Sequence, residues 1–402
     1  MTTINTNSST TTGALAQKTV YPILFAVAIA HLFNDLLQAV IPAAYPILKD
    51  NYNLSFTQIG LITLSYQLAA SILQPLVGLY TDKKPQPFWQ MYGMLFTLAG
   101  IVTLAYASSF NIVLVAVILV GIGSSIFHPE SSRISFLASG GKRGLAQSIF
   151  QLGGNAGTAI GPLLVAFIVV PRSQHYIVWF ALIAIAALFV LYRIAFWYQN
   201  HLILRAKKKS DIVLPNLSKT QVSMSVVILL VLIFSKFFYT ASISSYFTFY
   251  LMDKFQLSIQ DAQFHLFWFL AACAVGTLIG GPLGDKFGRK YVIWFSVLGA
   301  APFTLLLPYV DLFWTGIISV IIGMIISSAF PAILVYAQEL LPKKLGMVSG
   351  LFYGFAFGMG GLGSALLGSL ADKTSITYIY QLCAYLPLIG IVALFLPNLK
   401  KK

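Results

Sequence analysis

Predominantly apolar stretches long enough to cross a lipid bilayer recur from one end of this chain to the other. A helical crossing needs about 20 such residues. Runs of that kind lie at roughly 20–48, 57–80, 89–108, 112–137, 144–170, 175–196, 221–252, 262–284, 290–309, 313–340, 345–371 and 377–397. They are continuously apolar rather than alternating, which favours helices over a barrel. The expectation is an all-α membrane protein of about twelve transmembrane helices. Composition agrees: 58% of the 402 residues are apolar and 9% are charged, against about 25% charged in a soluble domain. A soluble enzyme, a nucleic-acid binder and a disordered scaffold are excluded.

The formal charge of +14 is therefore read as loop asymmetry, not as a nucleic-acid footprint. One set of loops carries Lys18, Lys83, Lys84, Lys142, Arg143, Arg193, Arg205, Lys207, Lys208, Lys209, Lys219, Lys286, Arg289, Lys290, Lys343, Lys344 and Lys400 to Lys402. The alternate set holds only Lys49, Arg172, Lys254 and Lys373. The bias puts the first set and both termini in the cytoplasm. The expected organisation is a flexible tail over 1–18, a six-helix bundle over 19–197, a cytoplasmic linker over 198–221 and a second six-helix bundle over 222–402. Cys273 and Cys383 sit in apolar runs without motif spacing, so neither a disulfide nor a metal site is expected.

An internal repeat supports the two bundles. Gly78 to Asp82 matches Gly281 to Asp285 at an offset of 203, and both Leu54-Ser55 with Leu257-Ser258 and Ser124-Ser125 with Ser327-Ser328 keep that offset. Parallel halves of this kind place a transport site at their interface, near the membrane midplane.

Gly281-Pro-Leu-Gly-Asp285-Lys-Phe-Gly288-Arg289-Lys290 resembles a loop signature of the major facilitator superfamily; the copy at Gly78 to Pro85 keeps the Gly and Asp. Within that superfamily, His31-Leu-Phe-Asn34-Asp35, the run from Ser124 through His128-Pro-Glu130-Ser-Ser-Arg133, Phe150 to Asn155 and Tyr336 to Glu339 are similar to fosmidomycin resistance proteins. The resemblance spans about Ala30 to Pro397. It implies the major facilitator fold and proton-coupled efflux of a phosphonate antibiotic across a bacterial inner membrane, with the chain multi-pass there. It also implies that Gly78, Asp82, Gly281, Asp285, Gly288 and Arg289 form a conformational switch, with Asp82 contacting the eleventh helix.

Charged groups inside spans need a reason, because each costs at least about 2.5 kcal/mol to insert. His31, Asn34, Asp35 and Gln38 are spaced i, i+3, i+4, i+7 and share one face of the first helix. That stripe suits a water-filled cavity, although interhelical bonding alone is another use of it. His31 and Asp35 also have the spacing of two metal ligands on one helix, but no second ligand cluster is visible in a matching span. Glu130 and Arg133 are i, i+3 neighbours that can pair, and Pro129 should kink their helix. His128 joins them as a candidate. Lys236, followed by Tyr239, sits mid-span in the seventh helix, and the repeat sets it level with Phe33, near Asp35. Glu339 reads as an interfacial charge beside Lys343 and Lys344.

Together these residues suggest a site for a small anion and for protons. Arg133 and Lys236 supply positive potential; Asp35, Glu130, His31 and His128 are proton carriers. Gly153, Gly157 and Gly161 allow close helix approach. They form a weakened version of the superfamily's antiporter motif, since Val165 and Ala166 stand where glycines are expected. The partners are thus a small anion, protons and lipid, for a chain expected to be monomeric and to need no cofactor. An uptake symporter for a small anionic metabolite is the alternative. A membrane enzyme using His128 and Glu130 lacks a nucleophile or metal constellation.

Overall fold

The computed structural model describes residues 19–54, 56–169, 171–207, 217–257 and 259–399. With no water in a bilayer core, each backbone N–H and C=O must be satisfied within the chain, and the apolar runs do this as helices. In order they are α1 (Tyr21–Ala43), α2 (Tyr45–Tyr52), α3 (Phe56–Lys83), α4 (Trp89–Ala105), α5 (Phe110–Ala138), α6 (Arg143–Ile168), α7 (Ala181–Lys207), α8 (Lys219–Phe255), α9 (Ile259–Phe287), α10 (Arg289–Leu298), α11 (Ala301–Leu306), α12 (Leu312–Ser327), α13 (Ala329–Leu340), α14 (Leu345–Lys373) and α15 (Ile376–Cys383). Short 3₁₀ segments extend three of these rods, giving Gln174–Ile203, Arg289–Tyr309 and Ile376–Phe395, and α12 with α13 forms one rod over Leu312–Leu340. Counting α2 with α1, twelve rods result among the described residues. Nine among the described residues are long and apolar enough to span a bilayer by length and composition. Aromatic side chains such as Phe167, Phe313 and Phe395 point outward, as lipid-facing residues do.

One detail differs from expectation. The break between the halves is shorter than 198–221, because α7 continues to Lys207 and α8 begins at Lys219. Tyr198 is the physical reason: its ring is buried and its hydroxyl faces Arg133 of α5. A capping box starts α8, with the Ser218 hydroxyl on the Gln221 N–H and the Gln221 side chain returning to the Ser218 N–H. α5 is helical on both sides of Pro129. The tail over 1–18, Lys208, Lys209 and Lys400 to Lys402 lie outside the described residues.

The two halves, α1–α7 and α8–α15, meet along α3 against α14 and α6 against α9. Small residues make these seams. A Cβ on Gly78 would lie 2.0 Å from the Gly346 carbonyl oxygen, and one on Gly281 would lie 2.0 Å from that of Gly144. Within the first half, Gly153 and Gly157 likewise let α6 rest directly on the backbone of α1, at Ala28 and Leu32.

Candidate functional site: a charged cavity and its clamps

Between the halves lies a cavity of about 180 Å³, lined by residues of α1, α6, α8, α9, α12, α13 and α14. One wall belongs to α1. His31, Asn34, Asp35 and Gln38 do share a face, and they converge on the Asp35 carboxylate. The Asn34 amide donates to Asp35 Oδ1 at 3.0 Å and the Gln38 amide at 3.4 Å, while Tyr66 of α3 donates to the Gln38 carbonyl oxygen. His31 Nε2 lies 3.2 Å from Asp35 Oδ2, and His128 Nε2 of α5 lies 3.5 Å from Oδ1. Both imidazoles are buried, and the Asp35 side chain is 16% exposed, facing the cavity. Gly154 of α6 makes this possible: a Cβ there would fall 2.5 Å from the His31 ring and 2.6 Å from Asp35 Oδ2.

The opposite wall belongs to α8. Lys236 and Thr240 line it with Cys273 and Thr277 of α9, Ser327 of α12 and Phe330 of α13. The Lys236 ammonium lies 5.0 and 5.1 Å from the Phe237 and Phe330 ring centres. No carboxylate pairs with it among the described residues. Asp35 and Lys236 thus share the cavity without touching. Asn155 bridges the halves here by donating to Thr277 at 3.2 Å.

Arg133 and Glu130 are elsewhere, which corrects the expectation that Arg133 faces the anion. Neither lines the cavity. Arg133 Nη1 lies 3.2 Å from Glu130 Oε1, donates to the Thr81 carbonyl at 2.8 Å and to the Tyr198 hydroxyl at 3.3 Å, and Nη2 pairs with Asp82. On a helix rising 1.5 Å per residue, Arg133 is about 7.5 Å beyond His128 along α5. That step carries it out of the cavity and into the cation-rich end. Tyr239 is also not in the lining: its ring packs in the apolar core of the second half with Ile243 and Phe247.

At that end the repeat acts as a pair of clamps. Asp82 accepts from the Gly346 and Met347 N–H groups, both at 2.8 Å, at the start of α14. Asp285 accepts from the Gly144 and Leu145 N–H groups, both at 3.1 Å, at the start of α6. Each carboxylate therefore sits on the positive end of a helix in the other half. Arg289 holds Asp285 at 2.9 Å and Glu339 at 3.2 Å, and Arg143 reaches Glu339 at 2.8 Å. Glu339 is thus tied to Arg289 of its own half and to Arg143 across the seam rather than to Lys343 or Lys344. Gly288 (φ +99°) makes the turn that aims Arg289, in a backbone region that favours glycine.

Between clamps and cavity, a buried amide and hydroxyl network seals the seam. Gln338 of α13 donates to Ser132 and Ser349, Ser132 donates to Gln147, Gln147 donates to the Tyr353 hydroxyl, and Tyr353 donates to Gln151.

Comparisons with known proteins bear on this geometry. The sequence profile of the Major Facilitator Superfamily matches residues 27–264 and 228–402. The chain belongs to the Major Facilitator Superfamily. It is 59% identical over 386 residues to the "Fosmidomycin resistance protein" of Escherichia coli K12, covering 96% of this chain and 95% of that one. It is 45% identical over 387 residues to the "Uncharacterized MFS-type transporter YfnC" of Bacillus subtilis, covering 95% and 94%. Among solved structures, the human organic anion transporter MFSD10 superposes with a TM-score of 0.77 at 15% identity, covering 94% of this chain and 99% of that one. The transporter FucP in its outward conformation gives 0.72 at 14% identity, with the same coverage. At such identities the structural likeness establishes the fold. The chain is a multi-pass membrane transporter of this superfamily, and not an enzyme.

For this superfamily member, the stripe on α1 was the most readable part of the site. Gln147, Gln151, Gly154 and Tyr353 were not singled out. Gly154 follows Gly153 in the small-residue pattern and could have been found there. Tyr353 sits in a glycine-rich apolar helix and carries no charge to mark it.

The three atoms of His31, Asp35 and His128 lie within 4.8 Å of one another, a set of metal-ligand residue types that sequence spacing did not assemble. The two rings approach different oxygens of the carboxylate. That arrangement suits proton sharing better than one ion held between three donors.

Proposed function

We propose that this transporter exports small anionic drugs of the fosmidomycin type, phosphonates, across the bacterial inner membrane by alternating access driven by the proton gradient. Lys236 is the observation that carries the reading. A buried charge needs compensation, and the Lys236 ammonium lines the cavity with no carboxylate partner among the described residues. A small anion supplies that partner, and the name of the 59% identical relative supports a phosphonate drug. His31 and Asp35 on the other wall, with His128 buried behind Asp35, provide titratable groups for the proton. The cation-rich end is taken as cytoplasmic, with both termini there. Asp82 and Asp285, with Gly78, Gly281, Gly288 and Arg289, then form the switch that closes this face. The protein works as a monomer without a cofactor.

An uptake symporter has one feature in its favour. A proton added to the His31–Asp35–His128 cluster makes the cavity more positive and favours an anion, which is the sign that co-transport needs. Inverted membrane vesicles with an acid interior and a pH dye separate the two. Exchange predicts that added fosmidomycin makes the lumen more alkaline, and a symporter predicts no such proton exit.

Growth protection of a fosmidomycin-sensitive host tests the substrate. The intact protein should protect, and Lys236→Ala at equal membrane abundance should fall to the level of empty vector. Absence of protection by the intact protein would overturn the drug assignment.

A further inference from the structure

The reading of proton coupling leaves open which atom holds the proton, and the ring geometry addresses it. His31 Nδ1 lies 2.7 Å from the Phe150 carbonyl oxygen, and His128 Nδ1 lies 3.1 Å from that of Ser124. A carbonyl oxygen only accepts, so each Nδ1 bears its hydrogen and donates; the Ser124 hydroxyl, 3.3 Å from His128 Nδ1, can accept as well, so one tautomer serves both contacts. A neutral ring of this tautomer presents a bare lone pair at Nε2. Both Nε2 atoms face Asp35, one per carboxylate oxygen, and an ionised carboxylate also only accepts. Three acceptors therefore converge in a buried pocket, and the contacts become favourable only when hydrogen is added to the set.

We propose that the transported proton resides on Nε2 of His31 or His128, with Asp35 as an ionised counter-ion and entry point rather than as the proton carrier. Backbone carbonyls hold both rings in one tautomer, so each is prepared to accept at Nε2 and nowhere else. With one added proton the cluster is neutral overall, which suits a low-dielectric site. The Asn34 and Gln38 amides donate to Asp35 Oδ1 and keep it acting as an acceptor. The proton comes from water in the cavity, reaches the cluster at Asp35, its most exposed member, and passes to a ring nitrogen; nothing else is gained or lost.

Other charged groups near the cluster are already accounted for. Glu130 and Arg133, further along α5, are engaged in the Asp82 clamp. Lys236 and Cys273 lie on the far wall, and the Tyr353 hydroxyl is held by Gln147 and Gln151. His128 also touches the other half directly. Its ring centre lies 5.2 Å from that of Tyr353 and 5.1 Å from that of Phe357, both on α14. A charge on His128 is thus felt by two aromatic rings of the opposite half.

The test is ¹⁵N NMR of the full-length protein in lipid nanodiscs, labelled at its five histidines, with His31→Gln and His128→Gln to assign signals. Across a pH titration, both Nδ1 resonances should stay protonated while an Nε2 resonance moves from bare to protonated. Infrared difference spectra should show no protonated carboxyl band that disappears in Asp35→Asn. Substrate-triggered proton release should be lost in at least one of the two Gln variants. A carboxyl band that vanishes in Asp35→Asn while both rings stay neutral would overturn the proposal, as would full proton release in both single variants. The ring titration needs no drug, so a protein that fails to protect against fosmidomycin yet shows it would refute the substrate reading alone.

Discussion

The two halves close the cation-rich end with the same device and back it with different ions. Asp82 and Asp285 each cap a helix of the opposite half. Behind Asp82 stands Arg133, 5% exposed as a side chain, with Glu130 at 1%. Behind Asp285 stands Arg289, whose carboxylate partners are 17% and 18% exposed, and the outer Arg143 is 38% exposed. The clamp itself belongs to the repeat; the depth of its support does not. The cavity walls differ in the same sense: the first half lines it with the Asp35 carboxylate and the His31 imidazole, with His128 buried behind them, and the second with a lone ammonium. Duplication supplied the hinge surfaces, and divergence supplied the chemistry.

The largest effect should come from the buried support. Arg133→Ala leaves Glu130 and Asp82 without their cation, and removing one partner of a buried pair costs about 3–5 kcal/mol. Arg289→Ala should cost less than this, because its carboxylate partners are 17% and 18% exposed, although the guanidinium itself is only 7% exposed. Thermal unfolding in detergent would show the gap, and equal losses would mean that the two clamps are energetically alike. Next in size is Gly154→Ala, where the new methyl overlaps His31 and Asp35. Overpacking of this kind costs about 1–3 kcal/mol. Transport should fall further than stability, and a variant with unaltered transport would remove the cluster from the mechanism.

Asp82→Asn and Asp285→Asn weaken one helix cap each, an effect of roughly 0.5–2 kcal/mol. The readout is labelling of a cysteine placed at the buried Ser349, with Cys273 and Cys383 replaced. Labelling should rise in both and more in Asp82→Asn, while equal or unchanged rates would make the seam independent of the carboxylates. Arg143→Ala should have the smallest effect, under about 1 kcal/mol, since its guanidinium is well exposed.

How much of this was written in the sequence depends on what each residue has to do. Helix count and the pairing of halves were legible, since bilayer thickness fixes run length and the 203-residue offset repeats. The α1 stripe was legible because four polar groups at i, i+3, i+4, i+7 must share a face. The link from Asp82 to α14 was legible through the resemblance. The depth of Arg133 was not: helical periodicity gives direction around an axis, whereas distance along the axis decides between cavity and clamp. Tyr239 failed in the complementary way. It lies three residues after Lys236, close to the same face, yet a phenol is apolar enough to be taken into the core of its own half. His128 was placed among the candidates but not beside Asp35, because contacts between helices leave no mark in local spacing.

Lys236 has a consequence for the carrier at rest. With no carboxylate beside it among the described residues, its ammonium is poorly solvated, and an anion entering the cavity relieves that cost. On the exchange proposed above, a carrier built this way favours crossing with its cargo over cycling without it.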